Sequence, residues 1–451
     1  MLSHDDLLAP FYQAAKPTEQ HRIGTEVERF GIDRTTGAPL QYAGVTADGP
    51  RGVLAVLEAL TERYGWRPKA EKAGGPIIGL SRGAASITLE PGAQLELSGS
   101  PLRTVHEVCG ELMEHLEELQ GVDERLGIAW LGCGFHPLAR QAELPWVPKE
   151  RYGIMREYFP TQGAGGLDMM RRTATVQVNL DYVDEADAMR KLRVALRLAP
   201  IGTAIFANSP FYEGRLTSEY RSRRAAVWLD VDPGRAGLLP ELMVPGRGFA
   251  DYVEWALDAP MFLFKHNGQL IANTGQSFRS FWRNGFQGHQ ATAADWTHHL
   301  NTLFPEVRLK GYLEVRGADS LPRDLVCAVP ALWTGLLYDE RALDQAEQLC
   351  EALVPAELEA LRLDVARDGL RARHRGLPIQ GLAEQMIEIA QGGLERRARW
   401  DWHGQDEGRY LEPLVELVGS GRCPADRLAA DWPEEADEQT RRTAIIRRAQ
   451  L

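Results

Sequence analysis

Apolar and polar positions along this chain change their period several times. Ser3 with Asp6 in the following turn, then Leu7, Leu8, Phe11 and Tyr12, predicts an opening helix. Over 21–33 the period shortens to two, the pattern of a strand. An amphipathic helix is predicted at 51–64, and strands at 77–80 and 86–98, the latter broken by Pro91-Gly92. Residues 102–123 place Leu112, Leu116 and Leu119 at helical spacing. The middle alternates: strand 128–135, helix 149–159, strand 173–182, helix 185–200. Asn267-Gly268 between the apolar runs of 261–271 predicts a hairpin, and 308–316 a further strand. From about residue 323 the strands stop; 323–338 and most of the remainder read as helices, punctuated by Pro355, Pro378, Pro413, Pro424 and Pro433. With no repeat and no low-complexity linker, the pattern predicts one α+β domain over 1–451, strand-rich over 20–320 and helical over 323–451.

Four of the strand segments carry polar side chains on one face. Alternation puts Glu26 and Glu28 together, and likewise Gln94, Glu96 and Ser98, with Glu90 just before the Pro-Gly break. Gln177 and Asn179 share a face opposite Val176, Val178 and Leu180; Glu314 and Arg316 share another. Each strand alone fits a half-solvated sheet, polar side out. Together they fit one concave face lined by acids, amides and an arginine. Carboxylates crowded on one face repel unless cations lie between them. Mg²⁺ suits such a face, since it takes oxygen ligands and bridges carboxylates to substrate phosphates.

Composition narrows the field. The 451 residues carry 51 Lys+Arg against 63 Asp+Glu, a net charge of −12, which argues against bulk nucleic-acid binding. The uncharged run 325–338 is broken by Pro330 and Gly335 and falls short of the ~18–20 apolar residues that span a bilayer, so no membrane is expected. No basic segment precedes Arg22, and the five cysteines are scattered without a CxxC; a cytoplasmic protein is expected. The phosphate-cradling motifs GxxxxGK[ST] and GxGxxG are absent, as is HExxH. The glycine cluster at 163–166 reads as a surface loop, and the adjacent His298-His299 as packing or surface residues. Arg221, Arg223 and Arg224, just before Trp228, form either a clamp for a carboxylate or phosphate or a solvated basic face.

At these residues the chain resembles the plant-type glutamate–cysteine ligases, also found in many bacteria, within the glutamine-synthetase-like carboxylate–amine ligases. The resemblance rests on GTEVERFGI (24–32), LEPGAQLELSGSP (89–101), GLDMMRRTATVQVNLDY (166–182), ANSPF (207–211), FPEVRLKGYLEVRGAD (304–319) and ALWTGLLYD (331–339), in family order. It implies a curved, mostly antiparallel sheet with a polar active-site face, helices behind it and a helical C-terminal layer. It also implies ATP-dependent joining of the γ-carboxylate of L-glutamate to the amine of L-cysteine through a γ-glutamyl phosphate, with ATP as substrate and two or more Mg²⁺ ions. A monomer or weak homodimer is expected. The alternative is a ligase of the same fold that uses another amine acceptor.

By resemblance, Glu26, Glu28, Glu96 and Glu314 hold metal, with Gln177 and Glu90 as further ligands. Arg316 faces the transferring phosphate, with Glu314 beside it in the catalytic pair. Arg224 grips substrate glutamate, with Trp228, Asn179 and Thr175 lining the pocket. Two departures bear on the acceptor: Leu229 and Val231 replace the hydroxyl residues that plant members carry after Trp228, and Phe262 stands where a cysteine-contacting tyrosine is expected. Cys109 and Cys327 match the positions of a redox-sensitive disulfide in plant members, while Asn273 replaces a cysteine of their second bridge.

Overall fold

In the computed structural model, which describes residues 2–46 and 49–451, one long strand organises the molecule. This strand, β1 (Ile23–Asp33), is joined by β2 (Arg67–Lys69), β3 (Gly79–Arg82), β4 (Ala85–Leu89), β5 (Leu95–Ser98), β6 (Ile128–Leu131), β7 (Thr175–Leu180), β8 (Val307–Leu309) and β9 (Leu313–Asp319). The order is β8–β9–β7–β1–β5–β4–β3–β2, with β6 pairing the far half of β1, and every pairing is antiparallel. The period of two explains the layering. Val27, Leu97, Val176, Val178, Leu180 and Leu313 point to one side, where they are buried. Helices α1 (Val105–Leu126), α2 (Glu185–Ile205) and α3 (Ala328–Leu337) cover that side. Burying each Val or Leu contributes about 1.5–3 kcal/mol, so these side chains decide which face turns to the helices.

The C-terminal layer attaches through a close backbone approach. Helix α4 (Gln380–Arg397) packs on α3 where Gly393 meets Gly335; a Cβ at Gly393 would lie 2.0 Å from the Gly335 carbonyl oxygen. Apolar contacts run without interruption from Leu7 to Val418. Among the described residues no helix is long and apolar enough to cross a membrane.

Most sequence-based boundaries hold to within two or three residues. The opening helix is His4–Gln13, capped reciprocally by Ser3 and Asp6. The hairpin pairs Leu263–His266 with Gln269–Ala272 through Asn267 (φ 47°) and Gly268 (φ 80°), the left-handed pair a tight primed turn needs. Three expectations are corrected. Residues 308–316 are not one strand: the chain turns at 310–312, where the Lys310 amide donates to the Tyr312 carbonyl, and β8 folds back on β9. The helix expected to end at Pro200 continues to Ile205, because 198–205 is buried throughout and that burial offsets the ~3 kcal/mol cost of an internal proline. Strands do not stop at 323, since Arg373–His374 pairs with Leu377–Pro378 in a ladder too short to show a period.

Candidate active site

Strand register assembles the polar face. Glu26 lies opposite Ser98 on β5 and Gln177 on β7, and Glu28 lies opposite Glu96. Asn179 lies between Gly24 and Glu314. Gly24 makes room for it: a Cβ there would come within 3.2 Å of the Asn179 Cβ. Between Val315 and Ala318 the β9–β7 register shifts in a bulge that holds Arg316 and Gly317, a device that re-aims a side chain at a sheet's working face.

The two ends of this face differ electrostatically. Glu314 is wholly buried, and its carboxylate oxygens accept from Arg308 (2.7 Å) and Arg316 (2.7 Å), with Lys310 at 3.3 Å. Burial works to raise its carboxyl, but Arg308, Lys310 and Arg316 outweigh burial and hold it well below the usual range. Arg316 is gripped a second time, donating to Gln177 Oε1 at 2.6 Å. At the other end the acids have no such partners. Glu28 is raised well above its ordinary value by burial and by Glu90 and Glu96. Glu96 is pushed up to about 8 by burial, Glu90 and Glu26, although Ser98 Oγ donates to it at 2.6 Å. Glu26 is raised by burial and Glu314, and accepts one bond from Asn179 Nδ2 at 3.1 Å.

This acid-rich end is where an oxygen-binding cation fits. Among the described residues no three acidic, histidine or cysteine side chains converge into a ligating cage. Mg²⁺ keeps waters and takes one or two carboxylates, so Glu26, Glu28 and Glu96 are the residues that could serve it without such a cage.

Several expected site residues have other tasks. Both Glu314 oxygens accept from cations and the Gln177 carbonyl from Arg316, so in this structure these two residues hold Arg316 in place. Thr175 has a structural task. It is buried, and its hydroxyl donates to the Ala318 carbonyl (2.6 Å), stapling the bulge rather than lining a pocket. Phe262 is 1 % exposed, with its ring 3.6 Å from the Arg235 guanidinium and packed against Tyr158 and Phe159, so it forms core rather than a ligand contact. Arg224 sits behind the bulge, donating to the carbonyls of Arg316 (2.8 Å) and Gly317 (3.3 Å). Its Nε and the Trp228 indole N–H are buried without partners, beside a cavity of about 20 Å³ that Thr203, Glu306 and Arg316 also line. The glycines at 163 and 165 press on the carbonyl of Asp230, fixing the loop after Trp228.

Sequence reasoning missed the support around this centre. Asp319 accepts from the Asn208 amide (2.7 Å), Ser209 Oγ (2.6 Å) and Ser222 Oγ (2.8 Å), and Ser222 caps the short helix Arg223–Trp228. The ANSPF run was visible, but nothing local says that it meets Asp319. Cys109 and Cys327 are paired across α1 and the start of α3, with Cα atoms 5.7 Å apart. A cavity of about 910 Å³ lies elsewhere, between 36–41, 138–143, the 211–216 hairpin and the C-terminal helix. It contains none of the polar-face residues.

Raised carboxylates beside an arginine clamped in place thus share one polar face of an antiparallel sheet backed by helices. The chain is 43 % identical to the chloroplastic glutamate–cysteine ligase of Brassica juncea over 443 residues, covering 97 % of this chain and 83 % of that protein. It is 44 % identical over 430 residues to the chloroplastic glutamate–cysteine ligase B of Oryza sativa subsp. japonica, covering 95 % and 83 %. The crystal structure of glutamate–cysteine ligase from Francisella tularensis in complex with AMP shares the fold, with a TM-score of 0.54 over 95 % of this chain and 88 % of that one at 12 % identity. The model of glutamate-cysteine ligase family 2 (GCS2) matches residues 22–446, and the chain belongs to this family. The expected cytoplasmic location is corrected by these comparisons: the relatives are chloroplastic enzymes, and neither the scattered cysteines nor the acidic N-terminus specifies a compartment.

Proposed function

We propose that this protein joins L-glutamate to L-cysteine with ATP, making γ-glutamylcysteine, the first step of glutathione synthesis. The family match across 22–446 is the observation that carries this reading, and it does not favour another amine acceptor. A carboxylate is a poor electrophile, so the γ-phosphoryl of ATP passes to the γ-carboxylate of glutamate, releasing ADP. The cysteine nitrogen then attacks the acyl carbon, the C–O bond to phosphate breaks, and the amine loses a proton. Arg316, fixed by Glu314 and Gln177, stabilises charge on the transferring phosphoryl oxygens; being held in advance, it pays no reorganisation at the moment of transfer.

Glu26, Glu28 and Glu96 hold Mg²⁺, with Glu90 beside them, and the ions neutralise phosphate charge when bound. The raised carboxyls at this end are the sign that it needs cations. Asn179 orients Glu26. Arg224 and Trp228 offer their free N–H groups to the glutamate carboxylate, and Arg224 also positions the backbone of Arg316. The Cys109–Cys327 pair acts as a redox disulfide; five free thiols in the intact mass after mild oxidation and capping would remove that role. The decisive assay is ADP release from Mg²⁺-ATP and glutamate, with and without cysteine, with mass analysis of the product. Cysteine-dependent ADP with γ-glutamylcysteine is expected. ADP without a cysteine adduct would overturn the acceptor, and no ADP would overturn the reaction.

A further inference from the structure

Two cations near the acid-rich end have no part in the site described so far. Lys149 and Arg151 come from the start of the helix Glu150–Tyr158, more than fifty residues along the chain from Glu96. Their polar contacts hold them in place without neutralising them. Lys149 Nζ donates to the Leu89 carbonyl (2.7 Å) and the Tyr152 hydroxyl (3.3 Å), and an Arg151 guanidinium N–H donates to that hydroxyl at 3.3 Å. Tyr152 is 2 % exposed and is anchored by its own bond to the Leu89 carbonyl at 2.8 Å, with both cations against its ring. Among the described residues neither cation forms an ion pair. Leu89 directly precedes Glu90, so the pair is tied to the backbone beside the crowded carboxylates. The fields of Glu90 and Glu96 reach both Lys149 and Arg151.

The contrast with Glu314 is instructive, because there three cations sit directly on one acid. Here two anchored cations lie within the fields of Glu90 and Glu96 with no ion pair to either among the described residues. Carboxylates on one side and cations on the other leave both signs unsatisfied, and a magnesium polyphosphate satisfies both: metal toward the acids, phosphate oxygens toward the cations. We propose that Lys149 and Arg151, braced by Tyr152, form the subsite for the polyphosphate of the nucleotide, opposite the metal-holding carboxylates. Lys149 acts there as a point charge at the helix start, and Arg151 as a two-pronged phosphate donor.

This inference rests on the proposed ligase reading, and its test separates the two. The probe is the Mg²⁺ complex of a non-hydrolysable ATP analogue, titrated calorimetrically without glutamate or cysteine. Wild type should bind. Arg151→Ala and Lys149→Met should each weaken binding about tenfold, the equivalent of ~1.4 kcal/mol, and Arg151→Lys should recover part of the loss. Adenosine affinity and the KM for glutamate should stay within twofold. Arg151 is exposed, so its variant keeps the fold readable even if Lys149→Met, which loses the tie to Leu89, unfolds. Unchanged analogue affinity in Arg151→Ala, or an effect confined to the glutamate KM, overturns the subsite while leaving the ligase reading standing. Failure of wild type to bind the analogue overturns both.

Discussion

The two ends of the polar face carry the same residue type in opposite electrostatic states. Glu314 is the most buried of the carboxylates, yet it is ionised, because Arg308, Lys310 and Arg316 compensate it. Glu28 and Glu96, opposite one another on neighbouring strands, form no ion pair among the described residues; burial and neighbouring acids outweigh the more distant charges of Arg224, Arg316 and Lys149, and their carboxyls are raised. Burial alone does not set the state of an acid. The identity of what faces it does. One end is a structural unit that holds an arginine still, and the other is a set of acids with no cation in contact, where the proposed metal would go.

That contrast can be broken by substitution. Glu314→Gln leaves three cations without their acid and should destabilise the fold by about 3–5 kcal/mol in urea unfolding, with loss of turnover. Glu28→Gln should do the reverse to stability, raising the melting temperature of the metal-free protein by relieving repulsion while abolishing activity. If both variants shift stability in the same direction, the distinction between the two ends is wrong.

Arg224→Ala tests the bulge between them. Because Arg224 supports the Arg316 and Gly317 carbonyls, kcat should fall along with a rise in the glutamate KM of about tenfold, roughly what one charge-assisted contact contributes. A change in KM alone would confine Arg224 to substrate binding.

The smallest effect is a slope. Folded Glu96 keeps its proton up to about pH 8, whereas unfolded it loses it near its ordinary 4.5. Over that interval the folded state binds the extra proton, so metal-free stability falls as pH rises. Glu96→Gln should flatten the fall between pH 6 and 8, and Mg²⁺ with the nucleotide analogue should abolish it in wild type. An identical slope in the variant would show that Glu96 is not the titrating group.

How far the site was legible follows the same division. The alternation of Glu26 and Glu28, of Gln177 and Asn179, and of Glu314 and Arg316 is visible in the chain, and the structure turns these side chains to one face. What each oxygen does was not legible. That Gln177 and Glu314 both accept from Arg316 appears only once strand pairing sets it between them. Thr175 read as a pocket wall until the bulge took its hydroxyl, and Phe262 as a substrate contact until Arg235 covered its ring. The turn at 310–312 was hidden because a short apolar–polar alternation runs straight across it.

The amino-acid order by itself determined the strands, their faces and the membership of each face, since alternation follows from covalent geometry and the apolar side must leave water. Tertiary structure alone decided which acids are paired and which are left wanting a cation. Compensation depends on distances of a few ångströms that the fold sets: Glu314 with Arg308 across a turn, and Arg316 with Gln177 from a strand 139 residues away. Coulomb energy falls with separation in space, and separation along the chain says nothing of it until register and packing are set.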